Sequence, residues 1–322
     1  MPFDSHPRAL RRLGSALLAA PALLAAPVLL ATLAAGAQAA PAPATTILFV
    51  GNSFTYGDPA GAAPAVKLYR PDTVTDLNGS GIGGVPALFK AFTVQAGLRY
   101  EVSLETIPGA GLELHYNTKL DTIARPYDKV LLQSYSTLDK ANPGNPEMLI
   151  KYSGLLAQVF HDKNPKVRVM LTSTWSRADQ TWKLLGAWHG KSIYQMAMDL
   201  RRGYDAADAA TPLIEGVIPV GEAWNRAIAG GLADPNPYDG IGAGQINLWA
   251  PDNYHGSSHG YYLEALTIFG SVTGRDPRSL GADEPVAREL GIDPGVAGAL
   301  QMYAAAQLAQ QKSQEMPYSK AR

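Results

Sequence analysis

The feature that most constrains this chain is an alternation of two periodicities. Five short apolar runs, at 46–50, 100–107, 129–133, 167–172 and 217–220, are separated by stretches with helical spacing. Most of the runs are rich in Val, Ile and Leu without a clean polar–apolar alternation, the pattern of strands covered on both faces. Between them, residues 85–96 carry Pro86 near the start and Gly97 after the end, the punctuation of a helix. Residues 147–162 place Leu149, Tyr152, Leu155, Leu156 and Val159 at helical spacing. Residues 192–209 and 257–273 complete the set, the latter being the last helix expected in the core. Strands alternating with helices predict an α/β fold: a five-stranded parallel sheet with helices on both sides. Such sheets bind ligands at the carboxyl ends of their strands, so the residues that follow each strand carry the question of function.

Two segments do not fit the alternation. Residues 57–84 are rich in Gly, Pro and Ala, and residues 229–250 contain the turn signals Asp234-Pro235-Asn236-Pro237 and Asp239-Gly240. Both are read as insertions near the site. Gly79-Ser80-Gly81-Ile82-Gly83-Gly84 has the glycine density of a phosphate loop but neither a strand directly before it nor a Lys-Ser/Thr partner, so it is read as flexible insertion. The polar tail from about Gln310 is expected to fray.

Composition narrows the functional classes. With 46% apolar and 17% charged residues over 322 positions, the chain can bury a large core. A formal net charge of −1 gives no basic face for nucleic acid or an anionic membrane, so no nucleic-acid partner is expected. The absence of cysteine excludes disulfides, thiolate metal sites and cysteine nucleophiles.

At the N-terminus, Arg8, Arg11 and Arg12 precede the apolar stretch 13–35, and Ala37-Gln38-Ala39 then offers an A-x-A cleavage site. This is the layout of a secretory signal peptide over residues 1–39, cleaved near Ala39. It predicts a secreted or periplasmic protein, a single domain over 40–322, and no stable membrane insertion after processing. The Arg11-Arg12 pair leaves both the general and the twin-arginine export routes open.

After the first strand comes Gly51-Asn52-Ser53-Phe54-Thr55, which leaves Ser53 at a strand end. A serine hydroxyl becomes nucleophilic only beside a base that is itself oriented. Thr55 stands where the nucleophile elbow of the α/β-hydrolases has its second glycine, so this is a different device. Near the other end, Asp252-Asn253-Tyr254-His255 puts a carboxylate three residues before an imidazole. That spacing lets Asp252 fix one ring nitrogen and leave the other for Ser53. One element follows the first strand and the other precedes the last core helix. In a parallel sheet those two places can meet.

On these residues the chain resembles the SGNH (GDSL-type) hydrolases. Ile47-Leu48-Phe49-Val50-Gly51-Asn52-Ser53 is similar to the family's first block in a Gly-Asn-Ser variant, and Asp252-x-x-His255 with Ser258 and Gly260 is similar to its last. The resemblance runs over essentially the whole mature chain. It implies a flavodoxin-like three-layer α/β/α sandwich and ester hydrolysis without a cofactor or metal. It assigns Ser53 as nucleophile, His255 as base and Asp252 as orienter. The family's second block supplies a glycine amide to the oxyanion, which the resemblance carries onto Gly109, with Gly111 as the alternative, in Pro108-Gly109-Ala110-Gly111-Leu112-Glu113. Its third block has Asn in G-x-N-D. Here Leu132-Gln133-Ser134-Tyr135-Ser136-Thr137 stands instead, so Gln133 is the expected third donor, beside the Ser53 and Gly109 amides, with the hydroxyls of Ser136 and Thr137 as alternatives. This variant resembles the carbohydrate-esterase side of the superfamily, which implies a small acyl ester, acetyl above all, on a small molecule or a polysaccharide. An acyltransferase on the same triad and a non-catalytic carbohydrate-binding protein are the other readings.

His255 and His259 are spaced like a helical metal pair, but no third firm ligand accompanies them, so no metal is expected. Trp175 and Trp249 flank the expected site and are candidates for stacking on sugar rings, with core packing as the competing role. His115, after the second block, could touch substrate or be a satisfied structural histidine.

Overall fold

The computed structural model describes residues 43–58 and 66–319. The leader expected over 1–39 lies outside the described residues. The strands are β1 Thr45–Gly51, β2 Thr75–Asp76, β3 Tyr100–Thr106, β4 Lys129–Leu132, β5 Arg168–Ser173 and β6 Val217–Pro219. The helices are α1 Ser53–Tyr56, α2 Gly84–Gln95, α3 Leu112–Thr118, α4 Leu120–Ile123, α5 Glu147–Lys163, α6 Ala178–Trp182, α7 Ile193–Ala209, α8 Val220–Ala229, α9 Ser258–Thr273, α10 Pro285–Glu289 and α11 Pro294–Ser319.

All strand pairs are parallel, in the order β2-β3-β1-β4-β5-β6. Among the described residues the sheet therefore has six strands where five were expected. The extra one, β2, is a two-residue edge strand inside the 57–84 segment, which is accordingly more than an insertion. The same segment closes into a turn built on Asp76, whose carboxylate accepts from the amides of Asn78, Ser80 and Ile82 at 3.0, 2.8 and 3.2 Å. The glycine-rich stretch is thus organised by one side chain instead of hanging free.

Consecutive β1 residues serve opposite layers. Ile47 and Phe49 enter one apolar cluster with α2, α8, α9 and α11, while Leu48 and Val50 enter the other with α5 and α7. This two-sided burial explains why the strands read as continuous apolar runs. It also makes the three-layer α/β/α architecture direct: a parallel sheet with helices on both faces.

The helix expected to be last in the core is not. α9 is buried almost all round, including Tyr261, Tyr262, Leu263, Leu266 and Phe269. A helix without a polar face needs cover on its outer side. α11 supplies it, with Ala297, Leu300 and Ala304 buried in the same cluster, and it continues to Ser319 through the tail expected to fray. Among the described residues no helix is long and apolar enough to cross a membrane.

The strand order reverses direction at β1, whose neighbours are β3 and β4. The crevice at such a switch point is where open α/β sheets take ligands. Ser53 lies two residues past the end of β1.

Candidate active site

The site starts from a tight turn. Gly51 ends β1, Asn52 caps α1, and Ser53 is the first helical residue. A Cβ at Gly51 would lie 2.2 Å from Thr55 Oγ1 and 2.7 Å from Gln133 Oε1, so glycine is required for the close approach of those groups. The Asn52 side chain accepts from the Phe54 amide at 3.1 Å. Its Nδ2 donates to the carbonyls of Ala110 and Ser134 at 2.7 and 3.2 Å. One asparagine therefore ties the Ser53 turn to the segments that follow β3 and β4.

Behind the turn stands an aromatic wall. Phe54 stacks on Trp175 with centroids 4.3 Å apart, and Trp175 stacks on Trp224 at 4.5 Å and 2°. Trp249 packs edge-on to Trp224, and its indole N–H donates to the Ser176 carbonyl at 2.9 Å. Trp175 and Trp249 are both buried. They are packing residues beneath the site, and neither offers a face for a sugar.

The structure brings Ser53, His255 and Asp252 together from opposite ends of the chain. His255 Nε2 is 2.9 Å from Ser53 Oγ, and Nδ1 is 2.6 Å from Asp252 Oδ2. The other Asp252 oxygen accepts from the amides of Tyr254 and His255, each at 3.0 Å. Ser53 is 5% exposed and His255 9%, while the Asp252 side chain is about one-third exposed. Burial pushes the Asp252 carboxyl up, but the bonds from the His255 ring and the two amides outweigh it and hold the group below its ordinary value. Both ring nitrogens of His255 are engaged, one by Ser53 and the other by Asp252. Among the described residues no three His, Asp or Glu side chains gather as a metal site. Burial keeps the nearby His259 below its ordinary pKa, favouring the neutral ring.

Tyr261 of α9 closes the turn from below. Its hydroxyl donates toward the carbonyls of Ser53, at 3.2 Å, and Asp58. Burial drives its pKa well up, so it stays a donor.

Gln133 is spent in bracing. Its carbonyl oxygen accepts from the Asn52 amide and the Thr55 hydroxyl, each at 3.0 Å, and its amide group donates to the Ser134 carbonyl. The expected third donor is thus committed to holding the Ser53 turn. Of the alternatives, the Thr137 hydroxyl donates to the Asp139 carbonyl at 2.8 Å, whereas Ser136 Oγ accepts from Arg177 at 3.3 Å. Gly109 sits at φ +64° on an exposed turn whose next residue, Ala110, takes the Asn52 amide. Gly111 is buried and precedes α3. His115 is buried against Glu105, with Nδ1 bonded to Oε2. Burial raises the Glu105 pKa, but the His115 and Asn78 bonds bring it below the ordinary value, so His115 is a structural partner there.

The sequence shows Asn52 and Tyr254 only as members of the motifs around Ser53 and His255, and gives no role to Tyr261 or Arg177. A residue next to the candidate nucleophile that can both donate and accept was the available signal for Asn52. The others show no pattern before folding.

No protein-family model and no curated relative matches the sequence. Solved structures do. A DUF4886 family protein from Bacteroides uniformis is 19% identical, with 83% of this chain and 95% of that one covered at a TM-score of 0.53. A protein from Parabacteroides merdae described as a GDSL-like lipase is 17% identical, covering 71% and 95% at 0.48. A Clostridium thermocellum family 3 carbohydrate esterase is 16% identical, covering 74% and 99% at 0.44. The first of these shows a shared fold, a parallel α/β sheet flanked by helices on both faces.

Proposed function

We propose that this chain, on its SGNH-type fold, is a serine ester hydrolase in which Ser53 attacks the ester carbonyl. The observation that carries the reading is the relay of hydrogen bonds from Ser53 Oγ through His255 to Asp252, at 2.9 and 2.6 Å, at the switch point of a parallel sheet. His255 takes the serine proton as the tetrahedral intermediate forms and gives it to the leaving alcohol. Asp252 orients the ring and offsets the charge of the imidazolium. Water, activated by the same histidine, then releases the acid from the acyl-enzyme.

The developing oxyanion needs donors aimed at it. The amide of Ser53 opens α1, where backbone N–H groups lack intrahelical acceptors. The Gly109 amide, on the turn pinned to Asn52 through Ala110, is the second. Gln133 and Thr137 are engaged elsewhere, and the Ser136 hydroxyl, which meets Arg177 and the Tyr254 side chain, is the remaining side-chain candidate in the third segment.

The substrate is a small acyl ester, acetyl above all, on a small alcohol or a polysaccharide. The leader-like N-terminus, Arg8 to Ala39, supports export to where such polymers are met. The test is a panel of aryl esters of rising chain length beside acetylated xylan and acetylated sugars, run with wild type and Ser53→Ala. The reading expects hydrolysis falling with acyl length and abolished by the substitution. A Ser53→Ala enzyme with the wild-type rate would refute it.

A further inference from the structure

We propose that Arg177 is a positioning residue for the base, acting on His255 through the ring of Tyr254. The proposal rests on His255 being the base of the reaction above. Three groups are layered here. The Arg177 guanidinium carbon lies 3.6 Å from the Tyr254 ring centroid, and the Tyr254 ring lies over the His255 ring with centroids 4.0 Å apart at 33°. Phe54 touches both rings, at 5.5 and 5.6 Å.

The loop that carries His255 needs such a device. Pro251 and Asp252 are exposed, and Asn253 holds a left-handed φ of +58°. Rotation of the imidazole out of its plane would break both relay bonds at once. The Tyr254 face blocks that rotation on one side, and Arg177 holds Tyr254 from behind.

Arg177 is itself fixed. Its Nε and Nη2 donate to the two oxygens of Asp179 at 3.0 and 2.7 Å, and Nη1 donates to Ser136 Oγ at 3.3 Å. Its neighbours stitch the same segment to the base loop by backbone. The Asp179 amide donates to the Asn253 carbonyl at 3.1 Å, and the Trp175 indole to the Tyr254 carbonyl at 3.3 Å. The segment after β5 therefore clamps the base loop by its backbone and by one stacked cation. A planar guanidinium can pair with a carboxylate in its plane while stacking on an aromatic face, which an ammonium cannot do. Lysine is accordingly a poor replacement.

The test uses Arg177→Met, and Arg177→Met/Asp179→Asn to avoid stranding the Asp179 charge, with Tyr254→Leu and Tyr254→Phe. On a small aryl acetate, Arg177→Met lowers kcat about 10- to 100-fold while KM stays within about twofold. Arg177→Lys does not restore it, and Tyr254→Phe, which keeps the ring, stays within about threefold of wild type. In the Tyr254→Leu background, Arg177→Met has less than a twofold further effect, because the path through the ring is already gone. The downfield proton resonance of His255 Nδ1, read by NMR, broadens or disappears in Arg177→Met and persists in Tyr254→Phe. An unchanged kcat, or losses that multiply in the double variant, would overturn the proposal, as would an unaltered Nδ1 resonance. That resonance is read without substrate. An inert wild type would therefore defeat the hydrolase reading and still leave the clamp to be judged by its spectrum.

Discussion

Replacing Gln133 separates two roles that one amide could play. In the structure Gln133 is a buried brace. Gln133→Ala removes the acceptor for the Asn52 amide and the Thr55 hydroxyl, and a donor to the Ser134 carbonyl. That carbonyl keeps the Asn52 side chain as a partner, and the Thr55 hydroxyl can rotate. The Asn52 backbone N–H is the group left stranded. A buried unsatisfied donor costs about 1–3 kcal/mol, and the space left by the amide adds roughly another 1 kcal/mol. The sum, about 2–4 kcal/mol, corresponds to a fall in Tm of roughly 5–10 °C for a domain of this size. Gln133→Leu fills most of the space and isolates the hydrogen-bond part, so its Tm lies between those of wild type and Gln133→Ala. Thermal denaturation and aryl acetate kinetics are measured on both variants. kcat falls as well, because Asn52 positions Ser53, but it falls together with stability. An oxyanion donor behaves differently: its removal costs about 100–1,000-fold in rate without a matching loss of stability. Variants that melt with wild type yet lose that much kcat would refute the bracing argument.

Other expectations follow from the same geometry. Asp252→Asn leaves the fold intact but presents the wrong hydrogen-bonding partner to His255, so kcat falls roughly 10⁴-fold; a loss under tenfold contradicts the relay. Gly51→Ala forces a Cβ to 2.2 Å from Thr55 Oγ1, so the turn opens and aryl acetate turnover drops more than tenfold; wild-type turnover would show that the turn tolerates a side chain. Glu264 of α9 is buried, and burial raises its pKa well above the ordinary 4.5. The folded state therefore holds a proton that the unfolded chain releases. Stability falls as pH rises above the unfolded value, by about 1.4 kcal/mol per pH unit until the folded-state pKa is reached. Glu264→Gln flattens that slope in urea denaturation at pH 5 to 8, and a variant less stable than wild type at pH 8 would contradict it.

The parts of the fold legible in the sequence were those with strong periodicity. Strands such as β1, buried on both faces, announced themselves as apolar runs, and α2 carried its own punctuation. β2 did not, because Thr75 and Asp76 are too few for any period and are held by pairing with β3. α11 was missed because its buried stripe is largely alanine, at Ala297 and Ala304, with Leu300 between. At the site, the spacing of Asp252 and His255 and the place of Ser53 after the first strand were enough to predict the meeting that the structure displays. Gln133 was misjudged because an amide donates or accepts according to its neighbours, which no spacing encodes. Trp175 and Trp249 follow the same rule: their positions near strand ends were readable, and the direction of their rings was not.

The central claim is that Ser53 is the nucleophile, and covalent trapping tests it most directly. The protein is treated with a fluorophosphonate, its intact mass is recorded, and the adduct is mapped by peptide sequencing. The account predicts one adduct per chain, on Ser53, absent in Ser53→Ala and formed much more slowly in His255→Ala. An adduct on another residue, or equal labelling of Ser53→Ala, would contradict it.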